Sequence, residues 1–199
     1  MKIILATQNT SKARQIGEIF KGSPIEVVSM EEAGISPPAS NIETGATLVE
    51  NALIKAKFAQ AGASGYWTMA DDTGIFIHAL DGFPGVHSAR WAGEGTATED
   101  IMHGILDKMK GVTDRSATFR TSVVVLGPDG QSHIFQGERP GQVLEEPRCA
   151  PQPMMPYSSI FLPDGAEKVW AEMKTEEENE GSHRGKAFRA ALEFLKTQL

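Results

Sequence analysis

Three groups of polar residues have the types and spacing that chemistry on an anionic substrate requires. The first is the turn Thr7-Gln8-Asn9-Thr10-Ser11-Lys12, between an apolar segment and a helical pattern. A helix N-terminus offers unpaired N–H groups and the positive end of the helix dipole, and a lysine in the turn adds a cation, which together suit a phosphate. Alternatively, Thr7 and Asn9 only cap the helix and Lys12 is solvated. Spacing alone leaves both interpretations open.

The second group is acidic and consists of Glu43 and the pair Asp71-Asp72. Two or three carboxylates are the hard oxygen ligands that Mg²⁺ binds while it keeps water molecules and substrate phosphates as its other ligands. Adjacent aspartates are also common turn residues that cap the next element. The group is therefore a candidate metal site with a purely structural alternative.

The third group is Ser182-His183-Arg184, at the predicted start of the last helix. Arg184 offers planar paired donors to a phosphate or a base edge, and His183 can hydrogen-bond or stack on a ring. The alternative is that Ser182 is the N-cap and its two neighbours are exposed.

Composition limits the classes of protein and partner. The chain has 199 residues, of which 40% are hydrophobic, so we expect one domain over residues 1–199. A net charge of −7 argues against a polymeric nucleic acid as partner, and any phosphate site must be compact. Apolar runs are too short to span a membrane, so no membrane partner is expected.

The single cysteine, Cys149, excludes an internal disulfide and predicts a cytoplasmic protein. We expect Cys149 to have no role in the mechanism and to lie in a proline-rich loop.

The elements that must position these groups alternate between strands and helices. The periodicity predicts a helix around Ile16–Phe20 and further helices over residues 47–62, over residues 98–109 and from residue 182 to the C-terminus. Strands are predicted at residues 2–6, 25–29 and 67–70, followed by a second apolar element at 75–80, and a hairpin is predicted from residues 117–126 and 133–137. The acidic pair is thus predicted at the junction of two elements. Residues 34–41, 81–95 and 145–156 are predicted loops.

Five motifs, which occur in one order along the chain, together resemble the inosine triphosphate pyrophosphatase family, whose members hydrolyse non-canonical purine nucleotides. They are Thr7-x-Asn9-x-x-Lys12, Glu43-Thr44-Gly45-x-Thr47-x-x-Glu50-Asn51-Ala52-x-x-Lys55-Ala56, Ala70-Asp71-Asp72-Thr73-Gly74, Gly85-Val86-x-Ser88-Ala89-Arg90 and Ser182-His183-Arg184. The resemblance spans residue 2 to about residue 195.

The resemblance implies an elongated, two-lobed α/β fold around a mixed β-sheet with a central nucleotide-binding cleft, and a homodimer. It implies Mg²⁺-dependent hydrolysis of a nucleoside triphosphate to the monophosphate and pyrophosphate, with ITP, dITP and XTP as default substrates. By the same resemblance Asp72 and Lys12 are catalytic, with Asp72 activating the attacking water, and Glu43, Asp71 and Asp72 hold the metal ion. The implied substrate-binding residues are Thr7, Asn9, Lys12, Lys55, Thr73, Tyr157, Glu178, His183 and Arg184.

The predicted base pocket departs from the family pattern. Where the family has Phe-Gly-Tyr-Asp-Pro, this chain has Met155-Pro156-Tyr157-Ser158-Ser159, and Glu178 replaces a lysine that reads a 6-oxo group. A carboxylate there suits a base edge that donates a hydrogen bond, such as an amino-substituted purine or cytosine. Alternatively, Glu178 points to solvent with its acidic neighbours. Two further hypotheses follow: a pyrophosphatase with altered base specificity in a specialised pathway, or a non-catalytic nucleotide-binding relative.

Overall fold

The computed structural model describes residues 1–39 and 41–199. Its strands and α-helices alternate along the first half of the chain, as predicted. In chain order they are β1 (Lys2–Leu5), α1 (Thr10–Phe20), β2 (Glu26–Ser29), α2 (Leu48–Gly62), β3 (Trp67–Ile77), α3 (Thr98–Lys108), β4 (Ser116–Leu126), β5 (Ser132–Val143), β6 (Phe161–Pro163), α4 (Thr175–Gly181) and α5 (His183–Lys196).

The strands form one mixed sheet in the order β2-β1-β3-β4-β5-β6. β1 is parallel to both β2 and β3, whereas the β3–β4, β4–β5 and β5–β6 pairs are antiparallel. The mixed α/β sheet and the hairpin predicted from the sequence are therefore confirmed. Over the described ranges, no helix is both long and apolar enough to cross a membrane.

Apolar cores lie against both ends of the long central strands. At one end α1 and α5 pack on one face of the sheet, around Phe188 and Val123, and α2 packs on the other, around Ala56 and Val124. At the other end α3 packs with the β6 region, around Ile105. These three clusters on one shared sheet, two at one end and one at the other, give the two-lobed architecture.

The starts of α1, α2 and α5 are fixed by side chains that accept hydrogen bonds from first-turn N–H groups. Asn9 caps α1, Thr47 and Glu50 form a reciprocal capping box on α2, and Ser182 caps α5. The capping positions predicted at Asn9 and Ser182 are confirmed. Asn9 stands beside Lys12 in the first candidate group, and Ser182 stands beside His183 in the third.

Two sequence predictions about elements are wrong, and one helix was not predicted. β3 runs without a break through Asp71 and Asp72, so the acidic pair lies inside a strand rather than at a junction. β5 continues past Gly137 to Val143, because Pro140 lies on an outer strand at a position that β6 does not pair with. Residues 175–181, an acidic run that periodicity passed over, form α4.

Candidate active site

A cleft of about 560 Å³ brings together residues from both ends of the sheet. Every predicted site residue except Asp71 lines it. Those residues are Thr7, Asn9, Lys12, Glu43, Lys55, Asp72, Thr73, Tyr157, Glu178, His183 and Arg184. Side chains that are far apart in the sequence thus share one cavity.

The turn between β1 and α1 is both a helix cap and a wall of the cleft. Asn9 Oδ1 accepts a hydrogen bond from the Lys12 amide at 3.0 Å, and Thr7 Oγ1 accepts one from the Asn9 amide at 3.2 Å. The Lys12 side chain is not solvated, since it is only 15% exposed and its Nζ lies 2.7 Å from Asp71 Oδ2. Asn9 therefore caps the helix, and the interpretation in which Lys12 is solvated is wrong.

The two adjacent aspartates have different surroundings because successive side chains of a strand point to opposite faces. Asp71 Oδ2 accepts hydrogen bonds from Lys12 Nζ and from Thr73 Oγ1, the latter at 3.1 Å. Asp72 Oδ2 instead accepts one from Asn51 Nδ2 on α2 at 2.9 Å. Asp71 therefore sits behind the cleft on the α1 side, while Asp72 faces the cleft on the α2 side.

Glu43 and Asp72 share one cation, Lys55. Lys55 Nζ lies 2.6 Å from Glu43 Oε1 and 3.7 Å from Asp72 Oδ1, and Arg90 Nη1 lies 2.6 Å from Glu43 Oε2. In the described residues no three His, Cys, Asp or Glu side chains converge as metal ligands. Strand alternation directs the Asp71 side chain away from that of Asp72, and a metal site made of Glu43, Asp71 and Asp72 stays a prediction.

Burial and neighbouring charges shift the pKa of Lys12, Asp71 and Asp72. Burial lowers the pKa of Lys12, and burial raises that of Asp72 despite the opposing effect of Lys55. For Asp71, burial is outweighed by Lys12, Lys55 and Arg184, and its pKa falls well below the usual range. Asp71 is thus firmly ionised, whereas Asp72 holds a proton more readily than an ordinary aspartate.

Aromatic rings form the other end of the cleft. His183 stacks on Phe119 with ring centroids 4.7 Å apart and an interplanar angle of 16°. Burial, with Arg184 and Lys12 nearby, holds the pKa of His183 well below its usual value, so the ring is neutral. The Tyr157 hydroxyl donates to the Ser88 carbonyl at 2.6 Å and accepts from Trp91 Nε1 at 3.0 Å. Tyr157 therefore offers the cleft a fixed ring.

Glu178, His183 and Arg184 are all buried, so the interpretations that left them in solvent are wrong. Arg184 Nη1 donates to Gln15 Oε1, and Glu178 Oε2 accepts from Gln152 Nε2 at 3.3 Å. Within the part of the chain that is described, both ring nitrogens of His183 and the Nε of Arg184 are buried without a partner.

Several contacting residues were absent from the predicted set. Asn51 and Arg90 stand inside the motifs, and their polar side chains at fixed spacing were the available signal. Phe119 lies in a strand whose apolar residues resemble ordinary core, and Gln15 and Gln152 have no sequence signal of their own.

The fold and the cleft define a mixed α/β protein whose cleft has a charged end and an aromatic end. The sequence matches the Ham1 family over residues 3–194, and the chain belongs to that family. This confirms the family resemblance drawn from the five motifs.

Named relatives match along nearly the whole chain. A dITP/XTP pyrophosphatase of Thermoanaerobacter pseudethanolicus is 39% identical over 201 residues, covering 100% of this chain and 98% of that protein. A dITP/XTP pyrophosphatase of Christiangramia forsetii is 39% identical over 195 residues, covering 98% and 99%. The structure of a HAM1 protein from Coxiella burnetii superposes with a TM-score of 0.85 at 31% identity and covers 99% of both chains.

Proposed function

We propose that this protein hydrolyses nucleoside triphosphates to the monophosphate and pyrophosphate, and that the reaction requires Mg²⁺. The observation that carries the proposal is one cleft with paired cations and carboxylates at one end and stacked rings at the other. A triphosphate and a base need these two environments within one cavity. The names of the relatives, dITP/XTP pyrophosphatases, support the same reaction and put these substrates first for testing.

The triphosphate is expected at the end that holds Lys12 and Lys55, with Thr7, Asn9 and Thr73 as further contacts. Each ammonium is paired with a carboxylate, at 2.7 Å for Lys12 and 2.6 Å for Lys55. Positioned cations are most useful where charge develops in the transition state, here on the leaving pyrophosphate. The lysines would therefore bind the substrate and stabilise its leaving group.

Glu43 and Asp72 are the carboxylates of the cleft that would hold Mg²⁺. Their oxygens are hard donors on either side of one ammonium, and Mg²⁺ is commonly bound by one or two carboxylates together with substrate phosphates. When bound, the ion supplies neutralisation of phosphate charge and polarisation of a phosphoryl oxygen. Asp71 has a different role, since it fixes Lys12 from behind, although its buried Oδ1 has no hydrogen-bond partner among the described residues.

Asp72 is the residue that we expect to take a proton from the attacking water. Asn51 and the Thr73 amide, which donates to Asp72 Oδ1 at 3.0 Å, fix the plane of its carboxylate. A carboxylate held in this way can accept a proton from a water molecule within hydrogen-bond reach. The water oxygen bonds to the α-phosphorus, the bond to the pyrophosphate oxygen breaks, and the proton passes to Asp72.

The test is product analysis with a panel of triphosphates that includes ITP, dITP, XTP, ATP, GTP and CTP. Purified protein with Mg²⁺ should release the monophosphate and pyrophosphate in equal amounts, detected by phosphorus NMR, and EDTA should stop the reaction. Release of orthophosphate with a diphosphate would contradict attack at the α-phosphorus. Nucleotide binding with no turnover would instead identify a non-catalytic relative.

A further inference from the structure

One buried carboxylate of the cleft has no role in the proposed phosphate chemistry. Glu178 is 2% exposed and lines the cleft from α4, in the same cavity as His183. Across residues 1–39 and 41–199 it makes no ion pair within 4.0 Å, unlike the carboxylates of the phosphate end. A buried acceptor of this kind costs free energy unless a donor satisfies it.

Gln152 holds this carboxylate in place but leaves no donor for a ligand. Its Nε2 donates to Glu178 Oε2 at 3.3 Å and to the Trp170 carbonyl at 3.2 Å, which uses both amide hydrogens. The neighbouring Asn179 uses one Nδ2 hydrogen on the Gln15 carbonyl, at 2.9 Å. The side of the cleft around Glu178 therefore presents a carboxylate acceptor, and the Gln152 amide beside it has no donor left.

The base edge that matches this arrangement is a donor. A 6-oxo group facing Glu178 would put two acceptors together, whereas an amino group would donate to the carboxylate. Trp170 also lines this cleft, and its indole N–H is buried within the protein without an acceptor among the described residues.

We propose that Glu178 determines base specificity and favours triphosphates whose base presents an amino group, of the adenine or cytosine type, over 6-oxo purines. The inference rests on the proposed function, since it names the substrate class of the same cleft. Burial raises the pKa of Glu178, and an N–H donor from the base would favour its ionised form.

The experiment compares kcat/KM for ATP, CTP, ITP and XTP in the wild type, in Glu178→Gln and in Glu176→Gln. Wild type should prefer ATP or CTP. Glu178→Gln keeps the size of the side chain and adds an N–H donor, so the ratio of amino to oxo substrates should fall about tenfold or more. Glu176 is exposed on the same helix, and Glu176→Gln should leave the ratio unchanged.

Two further measurements separate specificity from damage to the fold. Inhibition by inorganic tripolyphosphate, which has no base, should be the same in Glu178→Gln as in the wild type. Isothermal titration calorimetry on the wild-type protein should show tighter binding of AMP or CMP than of IMP. A wild type that prefers ITP and XTP, with the same ranking in Glu178→Gln, overturns this inference and leaves the pyrophosphatase proposal standing. Turnover of no triphosphate overturns the proposed function itself.

Discussion

At the scale of single residues, the role of a charged group follows from the atoms that it reaches. Asp71 and Asp72 are neighbours in the chain, yet one pairs with Lys12 and the other with Asn51 and Lys55. The same type of residue therefore has two functions, a fixed counter-ion and a proposed base with a raised pKa.

Asp72→Asn should remove most turnover and leave the fold intact. The amide has nearly the same volume, but it cannot take up a proton and is a poorer metal ligand. We expect kcat to fall by at least about tenfold, which corresponds to ~1.4 kcal/mol of transition-state stabilisation. Steady-state kinetics checks the loss, and an unchanged thermal midpoint controls for folding. A variant that keeps more than about a tenth of the wild-type kcat rules out the assigned role.

Lys12→Ala should raise KM and lower kcat together. In the proposed reaction the ammonium would contact charge that is present in the bound triphosphate and that grows on the leaving pyrophosphate. Because Lys12 lies at the charged end of the cleft, the penalty should be similar for ATP and for ITP. Kinetics with both substrates checks this. A penalty seen with one base and absent with the other would contradict a phosphate role.

His183 should make the protein less stable in mild acid. Its folded pKa is well below the ordinary value of 6.5, so the unfolded chain takes up a proton below that pH and the folded chain does not. The stability is present above pH 6.5 and is lost as the pH falls, with a slope approaching ~1.4 kcal/mol per pH unit for one proton. Urea unfolding from pH 7 to pH 5 should show a shallower decline in His183→Gln. Parallel curves for the two proteins would show that His183 protonates equally well when folded.

At the scale of elements, the aromatic end of the cleft depends on how closely α5 approaches β5. Gly137 permits this approach, since a Cβ there would lie 2.1 Å from the His183 carbonyl oxygen and 3.1 Å from the Ala187 amide nitrogen. The glycine is therefore needed for its lack of a side chain, and it places the first turn of α5 directly against the sheet.

Gly137→Ala should destabilise the protein and disturb nucleotide turnover. Moving α5 away from the sheet to admit the methyl group costs about 1–3 kcal/mol, as in other overpacked sites. Gly17→Ala is the matched control, because Gly17 is an exposed helical residue with open space at its Cβ, and it should gain about 0.5–1 kcal/mol. Chemical unfolding of both variants gives the comparison. Equal effects at the two positions would show that α5 has room to move.

How far the sequence predicts these elements depends on how local their causes are. The caps at Asn9, Thr47 and Ser182 were predictable because each cap is a contact within four residues. The continuity of β3 was not predictable from local sequence, because aspartate disfavours strands. Hydrogen bonds to β4 keep the strand continuous through both aspartates. The burial of Glu178 was likewise not predictable from the local sequence, since it arises where α4 packs against α1 and α5.

At the scale of the whole molecule, the cleft unites segments from both lobes. Lys12 and Lys55 come from helices beside the parallel strands, while Tyr157 follows the proline-rich loop and packs with the core of the other lobe. The sequence predicted this convergence only through the order of its five motifs, because no single motif spans the distance between lobes. Which hydrogen-bond donors remain free, such as the Trp170 indole, follows from the three-dimensional packing alone.

Because the ligand would bridge both lobes, nucleotide binding should stabilise the entire fold. A non-hydrolysable α,β-imido triphosphate with Mg²⁺, at a hundredfold excess over its Kd, should add about 2.7 kcal/mol to the free energy of unfolding. For a chain of this size the thermal midpoint should rise by about 5–10 °C. Differential scanning calorimetry measures the shift, after Kd has been obtained by titration. At the same ligand concentration Lys12→Ala should show a smaller rise, since it loses a cation that contacts the triphosphate, and an equal rise in both proteins would place the bound nucleotide away from Lys12.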